Sequence, residues 1–161
     1  MIVVSDTTAI INLAIIGELN LLPDLFETIL IPPAVYQEVV VTGKNMPGAE
    51  AIERAAWIQQ KTPQNQQLVK QLLGDLDPGE AEAIALAIEQ QADVLIIDER
   101  RGREVARNHQ LTIIGLLGIL TIAKRKGLIQ AVKPVIDRLL SEADFYVSEK
   151  LLATVLASVE E

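Results

Sequence analysis

The segment from Val94 to Ala123 alternates aliphatic, strand-like runs with helix-like stretches, and that alternation does most to limit what the chain can fold into. Val94-Leu95-Ile96-Ile97 is a continuous aliphatic run ending at Asp98; residues 101–108 read as a basic helix, residues 111–114 as a strand and residues 115–126 as another helix. An aliphatic run without polar alternation marks a strand buried on both faces, and strand–helix–strand units form right-handed crossovers between parallel neighbours. The same pattern opens the chain. Residues 2–5 form a strand-like run closed by Asp6, and Thr28-Ile29-Leu30-Ile31 forms another, broken by Pro32-Pro33. The expected fold is a three-layer α/β/α sandwich with a central, mainly parallel sheet. A single domain over residues 1–161 is expected, with helices at about 134–140 and 148–159 closing it.

The intervening segments read as helices with recognisable ends. Asp6-Thr7-Thr8 precedes a helix at residues 9–16 that stops at Gly17, and a short helix covers residues 19–26. Pro33 suits the first turn of a helix reaching residue 41, followed by a loop at 43–48 and a helix near 49–56. Residues 59–71 are rich in glutamine and carry little periodic signal, apart from Leu68, Leu72 and Leu73, which point to a helix in the second half. Asp77-Pro78-Gly79-Glu80 is a strong helix start, with an N-cap Asp, Pro at the first helical position and Glu three residues after the cap. That helix is expected to run to about residue 91.

Composition removes several classes of chemistry. Aromatic residues make up only 3% of the chain, so the core must be built from Ile, Leu, Val and Ala. With no cysteine there are no disulfides, thiolate zinc sites or cysteine nucleophiles, and the single histidine, His109, excludes a multi-histidine metal site. No glycine-rich phosphate loop ending in Lys-Ser/Thr occurs, no dinucleotide fingerprint follows a strand, and Gly115-Leu116-Leu117-Gly118 is only half of one. The longest mostly apolar run, residues 111–123, falls short of the about 20 residues needed to span a bilayer, and residues 1–6 lack the regions of a signal peptide. A cytoplasmic protein without membrane association is expected. The mean hydropathy of +0.30 is high for a soluble monomer and suggests that a second copy, as in a homodimer, or another protein covers some apolar surface.

The net charge of −8 is unevenly spread. Nine of the fourteen basic residues lie between Arg100 and Arg138, opposed only by Glu104 and Asp137, which leaves that stretch at +7 and the remainder at −15. One part of the molecule can therefore grip a polyanion while another supplies acids; a solvated basic helix face would give the same pattern.

Asp6 and Asp98 each end a buried-type strand. In open α/β sheets ligands bind beyond the carboxyl ends of the strands, so parallel neighbouring strands would bring the two carboxylates to one rim. Close carboxylates repel unless a proton or cation lies between them, and with no histidine set a hard divalent ion fits. Each aspartate alone can also be read as a helix cap. Glu38 lies on the helix after the second strand. Glu80 and Glu82 are two residues apart, about 200° around a helix, so they cannot face the same way; Glu80 can be the far half of a capping box with Asp77. Carboxylate-held Mg²⁺ or Mn²⁺ would support phosphodiester hydrolysis.

These residues, in this order, resemble the PIN-domain family. Asp6-Thr7-Thr8 is similar to its opening motif, Pro33 to Val40 with Glu38 to the helix carrying its second acid, and Leu76 to Ala87 with Glu80 to the third-acid helix, where Asp is more usual. Val94 to Asp98 resembles the strand delivering the fourth acid, with Ile96 where Ser or Thr is frequent. Gly79-Glu80-Ala81-Glu82-Ala83-Ile84, Ile97-Asp98-Glu99-Arg100, Gly115-Leu116-Leu117-Gly118-Ile119-Leu120 and Phe145-Tyr146-Val147-Ser148 resemble an uncharacterised prokaryotic PIN-like group, whose members are often considered toxin-type components paired with small antitoxins. The resemblance implies a Mg²⁺- or Mn²⁺-dependent endoribonuclease with Asp6, Glu38, Glu80 and Asp98 as metal ligands and catalytic acids, and Glu82 as rival to Glu80. Thr7 or Thr8 would orient Asp6, and Arg100, Arg101 and Arg103 would contact RNA phosphates. The alternative is a PIN-like module that binds nucleic acid or a protein without cutting.

Overall fold

The structure, a computed structural model, describes residues 1–161. Five short strands form one sheet: β1 (Val3–Ser5), β2 (Ile29–Ile31), β3 (Ile58–Gln60), β4 (Val94–Ile96) and β5 (Ile113–Ile114). Their spatial order is β3-β2-β1-β4-β5, and every pairing is parallel. β1 therefore lies in the centre, paired with β4 over Val3–Val94, Val4–Leu95 and Ser5–Ile96. All three β1 residues are fully buried, as an unbroken aliphatic run with helices on both faces requires.

Ten helices cover the sheet. On one face lie α1 (Thr7–Ile15), α2 (Leu21–Phe26), α8 (Leu116–Arg125), α9 (Lys133–Glu142) and α10 (Glu149–Ser158). Ile10, Leu13, Leu116, Ile119 and Ile136 share a core there with Val3 and Ile96. On the other face α5 (Gln66–Leu72), α6 (Pro78–Glu89) and α7 (Arg100–Asn108) pack Val69, Leu72, Ile84, Leu86 and Val105 against Val4, Leu95 and Ile97. The strand residues alternate strictly between the two cores, the two-residue period of a pleated strand turned into three layers. No helix is long and apolar enough to cross a membrane.

Helix α3 (Pro33–Tyr36) runs on into a π-helical stretch (Gln37–Thr42), and α4 (Ala49–Glu53) precedes β3. In α6 the alanines at 81, 83, 85 and 87 are all buried, and these small side chains allow close approach to α3 and β1. The α6 start is the capping box expected from the sequence: Asp77 Oδ1 accepts the Glu80 amide at 2.8 Å and Glu80 Oε1 accepts the Asp77 amide at 3.3 Å.

Two features depart from the expectation. The glutamine-rich segment begins with an unforeseen strand, β3, and the expected regular helix over residues 33–41 is π-helical in its second half. β3 lies at the sheet edge with Gln59 and Gln60 exposed, so it carries no buried aliphatic run to reveal it.

Candidate active site

The strand order reverses between β1 and β4. From β1 the chain moves outward to β2 and β3, then crosses back through α5 and α6 to β4 and β5. The crevice at the carboxyl ends of such a pair is where open α/β sheets accept ligands. Asp6 directly follows β1, and its amide continues the ladder by donating to the Ile96 carbonyl at 2.9 Å. Asp98 stands two residues beyond Ile96, so both aspartates lie at this one rim.

Asp6 occupies the N-cap position of α1 in extended conformation, yet its side chain makes no capping hydrogen bond. The cap reading therefore does not account for it. Its carboxylate is 5% exposed, and burial pushes its pKa up from 3.8 to about 8; Glu80, Asp77 and Glu38 push the same way, while the Thr7 amide partly opposes them. Burial, with three other carboxylates acting on it from further away, favours the neutral form of Asp6.

Glu38 comes from the π-helical stretch. Its Oε2 accepts the Thr7 hydroxyl at 2.6 Å. Of Thr7 and Thr8, expected to orient Asp6, Thr7 gives its hydroxyl to Glu38 and only its amide acts on Asp6. A methyl group built on Gly79 would lie 3.0 Å from Glu38 Oε1 and 3.2 Å from Asp6 Oδ1, so these two oxygens face a common point that only a glycine leaves open. π-helical turns, which widen the backbone locally, are frequent at such sites.

Glu80 is 6% exposed and divides its roles. Oε1 completes the capping box, while Oε2 is buried without a partner, close enough to Gly102 on α7 that a Cβ there would lie 2.8 Å away. Burial raises its pKa to about 7, with Asp77 adding to the shift. Glu82 Oε1 accepts the Ala34 amide at 3.2 Å, tying α6 to the first turn of α3. Of these two glutamates, Glu80 is the one whose charge reaches Asp6.

Asp98 does act as a cap, though of α8 and not of the helix that follows it. Its Oδ1 accepts the Leu116 amide at 3.0 Å, and its Oδ2 is buried without a partner. Burial raises its pKa, partly offset by the Leu116 amide and by Arg103. Among the expected phosphate contacts, Arg103 turns inward and donates to the Ile97 carbonyl at 3.0 Å, and Arg101 pairs with Asp75 and Glu104. Arg100 reaches only Glu104, at 3.5 Å, and its side chain is 95% exposed. Thr8 borders a cleft shared with Asp98, Arg100 and Tyr146.

A PIN-domain family model matches residues 2–161, nearly the whole chain. The chain belongs to the PIN-domain family. No curated relative matches it. The family gives this PIN domain a nuclease-type fold, and PIN domains generally depend on divalent metal ions.

The donor set suits such an ion: every candidate ligand is a carboxylate oxygen, the hard donor Mg²⁺ and Mn²⁺ select. Two buried carboxylate oxygens, Glu80 Oε2 and Asp98 Oδ2, have no protein partner, and Asp6 and Glu38 converge beside Gly79. No three of these acids are drawn into a group that encloses an ion.

Asp77, Gly79 and Gly102 were not singled out from the sequence as site residues. Asp77 was legible only as a cap, although its charge adds to the acidic field. The two glycines matter for the space they leave, which becomes visible only once α3, α6 and α7 are packed together.

Proposed function

We propose that this PIN domain is a Mg²⁺- or Mn²⁺-dependent endoribonuclease, with Asp6, Glu38, Glu80 and Asp98 holding the metal. The observation that carries the reading is geometric: the buried Asp6, free of any capping hydrogen bond, faces Glu38 beside Gly79, while Glu80 Oε2 and Asp98 Oδ2 are buried without a partner. Arranging acids at such cost suits a site made for a cation. When bound, the ion lowers the pKa of a coordinated water and offsets charge on the phosphate.

The chain's own groups divide the remaining work. Asp6 and Glu38 face one point, and Thr7 fixes the Glu38 rotamer. Glu80 and Asp98 each keep one oxygen anchored to a backbone amide and offer the other. Arg103 tempers the charge on Asp98, and the exposed Arg100 is available to a substrate phosphate. Asp6→Asn and Asp98→Asn are expected to lower Mn²⁺-dependent RNA cleavage at least about a hundredfold while each remains folded by circular dichroism. Full activity in both variants would refute the assignment.

The toxin component of a toxin–antitoxin pair, acting in the cytoplasm as a homodimer, is the finer form of this reading. It is supported by the prokaryotic toxin-type motifs at Gly79 to Ile84 and Phe145 to Ser148 and, for the dimer, by the mean hydropathy. Growth arrest on expression that Asp6→Asn abolishes would support the toxin role, and a monomer by light scattering at high micromolar concentration would remove the dimer.

A second reading is a PIN module that binds without cutting. It is favoured by the structural use of one oxygen each on Asp98 and Glu80, and by the engagement of Arg101 and Arg103 within the protein. It predicts that Mn²⁺ gives no thermal shift dependent on Asp6.

A further inference from the structure

The largest cavity in the molecule, about 450 Å³, does not lie over the four acids as a group but opens beside Asp98, between α8 and the segment leading into α10. Asp98 and Arg103 form its polar end; Leu117, Val147, Leu151 and Val155 form much of its apolar wall. Gly115, at the N-cap of α8, and Gly118, one turn on, border the cavity where no side chain would fit. A Cβ on Gly115 would lie 2.7 Å from Arg103 Nη1 and 2.8 Å from Asp98 Oδ1, and one on Gly118 would lie 2.7 Å from Ile114 Cγ1.

Tyr146 stands at the border of this cavity. It also borders the neighbouring cleft that holds Thr8, Asp98, Glu99, Arg100 and Asp144, so Phe145 and Tyr146 form a ridge between two hollows that both reach Asp98. Tyr146 is 84% exposed, although it adjoins a cavity with an apolar wall that could have buried it. In a chain with only five aromatic residues, a tyrosine standing free beside a candidate catalytic acid is hard to account for by packing.

We propose that this cavity is a nucleobase subsite in which Tyr146 supplies the stacking face; the proposal rests on the endoribonuclease reading above. An apolar hollow with polar groups at one end suits a base: walls for its faces and, for its edge, the Arg103 guanidinium and Asp98 Oδ1, the oxygen not assigned to the metal. Single-stranded RNA is recognised by splaying bases onto aromatic rings while cations follow the backbone. Arg100, on the far side of the Tyr146 ridge, is the exposed cation for the adjoining phosphate, and an exposed ring beside an exposed cation is the pairing that single-stranded RNA uses. Glu99 and Asp144 in the same cleft confine that favourable contact to Arg100.

The test uses the full chain with a fluorescent single-stranded oligoribonucleotide in Ca²⁺, reading affinity by anisotropy, and cleavage separately in Mn²⁺. Tyr146→Ala is expected to weaken binding about ten- to a hundredfold, the range that loss of one stacked base spans. Tyr146→Phe should stay within about twofold of wild type, because stacking needs the ring and not the hydroxyl. An abasic residue scanned along the oligonucleotide should reproduce the loss at one position in the wild type and add nothing in Tyr146→Ala. In cleavage, Tyr146→Ala should raise KM with kcat largely kept.

Unchanged affinity in Tyr146→Ala, the result expected if a protein segment fills the cavity, overturns the subsite while leaving the nuclease reading intact. Tyr146-dependent, base-dependent binding without any Mn²⁺-dependent cleavage supports the subsite and overturns the nuclease reading. Absence of any oligoribonucleotide binding overturns both.

Discussion

Asp6 carries the strongest electrostatic signature in the molecule, and its consequence is a pH dependence of defined sign. Its folded pKa, about 8, lies far above the ordinary 3.8, and Glu80 moves from 4.5 to about 7. Between those limits the folded state binds more protons than the unfolded state, so stability is fully present below about pH 4 and is lost as pH rises through 7 and 8. In metal-free protein, chemical denaturation should therefore show lower stability at pH 8 than at pH 5.5. Asp6→Asn should flatten that slope and stabilise the protein at pH 8 by on the order of a few kcal/mol. A divalent ion competes with the protons, so Mn²⁺ should stabilise the wild type more at pH 8 than at pH 5.5. Thr7 offers a second test at this scale. Losing its hydroxyl frees Glu38 Oε2 to rotate, and Thr7→Val should weaken Mn²⁺ binding about tenfold by calorimetry, as removal of an outer hydrogen bond to a metal ligand typically does.

At the scale of elements, the site depends on how closely α3 and α6 approach, and Gly79 tests that closeness. An alanine there favours the helix slightly, yet its methyl would sit where the Asp6 and Glu38 oxygens converge. Gly79→Ala should leave thermal stability within about 1 kcal/mol of wild type while lowering Mn²⁺ affinity about tenfold or more; a large loss of stability with unchanged affinity would show that the glycine serves packing alone. The elements themselves were legible to differing degrees. β1, β4 and α6 could be read because each carries a strong local signal: an unbroken aliphatic run, or an Asp-Pro-Gly-Glu start. β3 could not, because an exposed edge strand with two glutamines has neither a buried run nor an alternation. The π-helical turn carrying Glu38 was also hidden, since helical periodicity over a few residues does not separate a wide turn from an ordinary one.

At the scale of the whole molecule, topology does what residue spacing along the chain cannot. Asp6, Glu38, Glu80 and Asp98 are spread over more than ninety residues, and a parallel sheet whose strand order reverses between β1 and β4 brings two of them to one rim. The order of acids was readable because Asp6 and Asp98 follow strands, Glu80 begins a helix and Glu38 lies on the helix after the second strand. Which of their oxygens are free, and that Asp98 caps α8 from a distance, depends on packing between segments far apart in sequence. The charge asymmetry also belongs to this scale. RNA affinity should fall with salt, with a shallow log–log slope equivalent to only a few phosphate contacts, because Arg101 and Arg103 are engaged within the protein and Arg100 is the exposed cation nearest the site. The slope measured in Arg100→Ala should be shallower by about 0.7, one phosphate contact on a single strand.

The most direct test of the central claim, that these separated acids form one metal site, is anomalous diffraction from crystals soaked in Mn²⁺. The account predicts a Mn²⁺ peak with oxygens of Asp6, Glu38 and Glu80 at about 2.0–2.3 Å and with Asp98 on the same ion or on a second one beside it. A fully soaked crystal with no peak at this rim, or with Mn²⁺ bound only elsewhere on the surface, would contradict it.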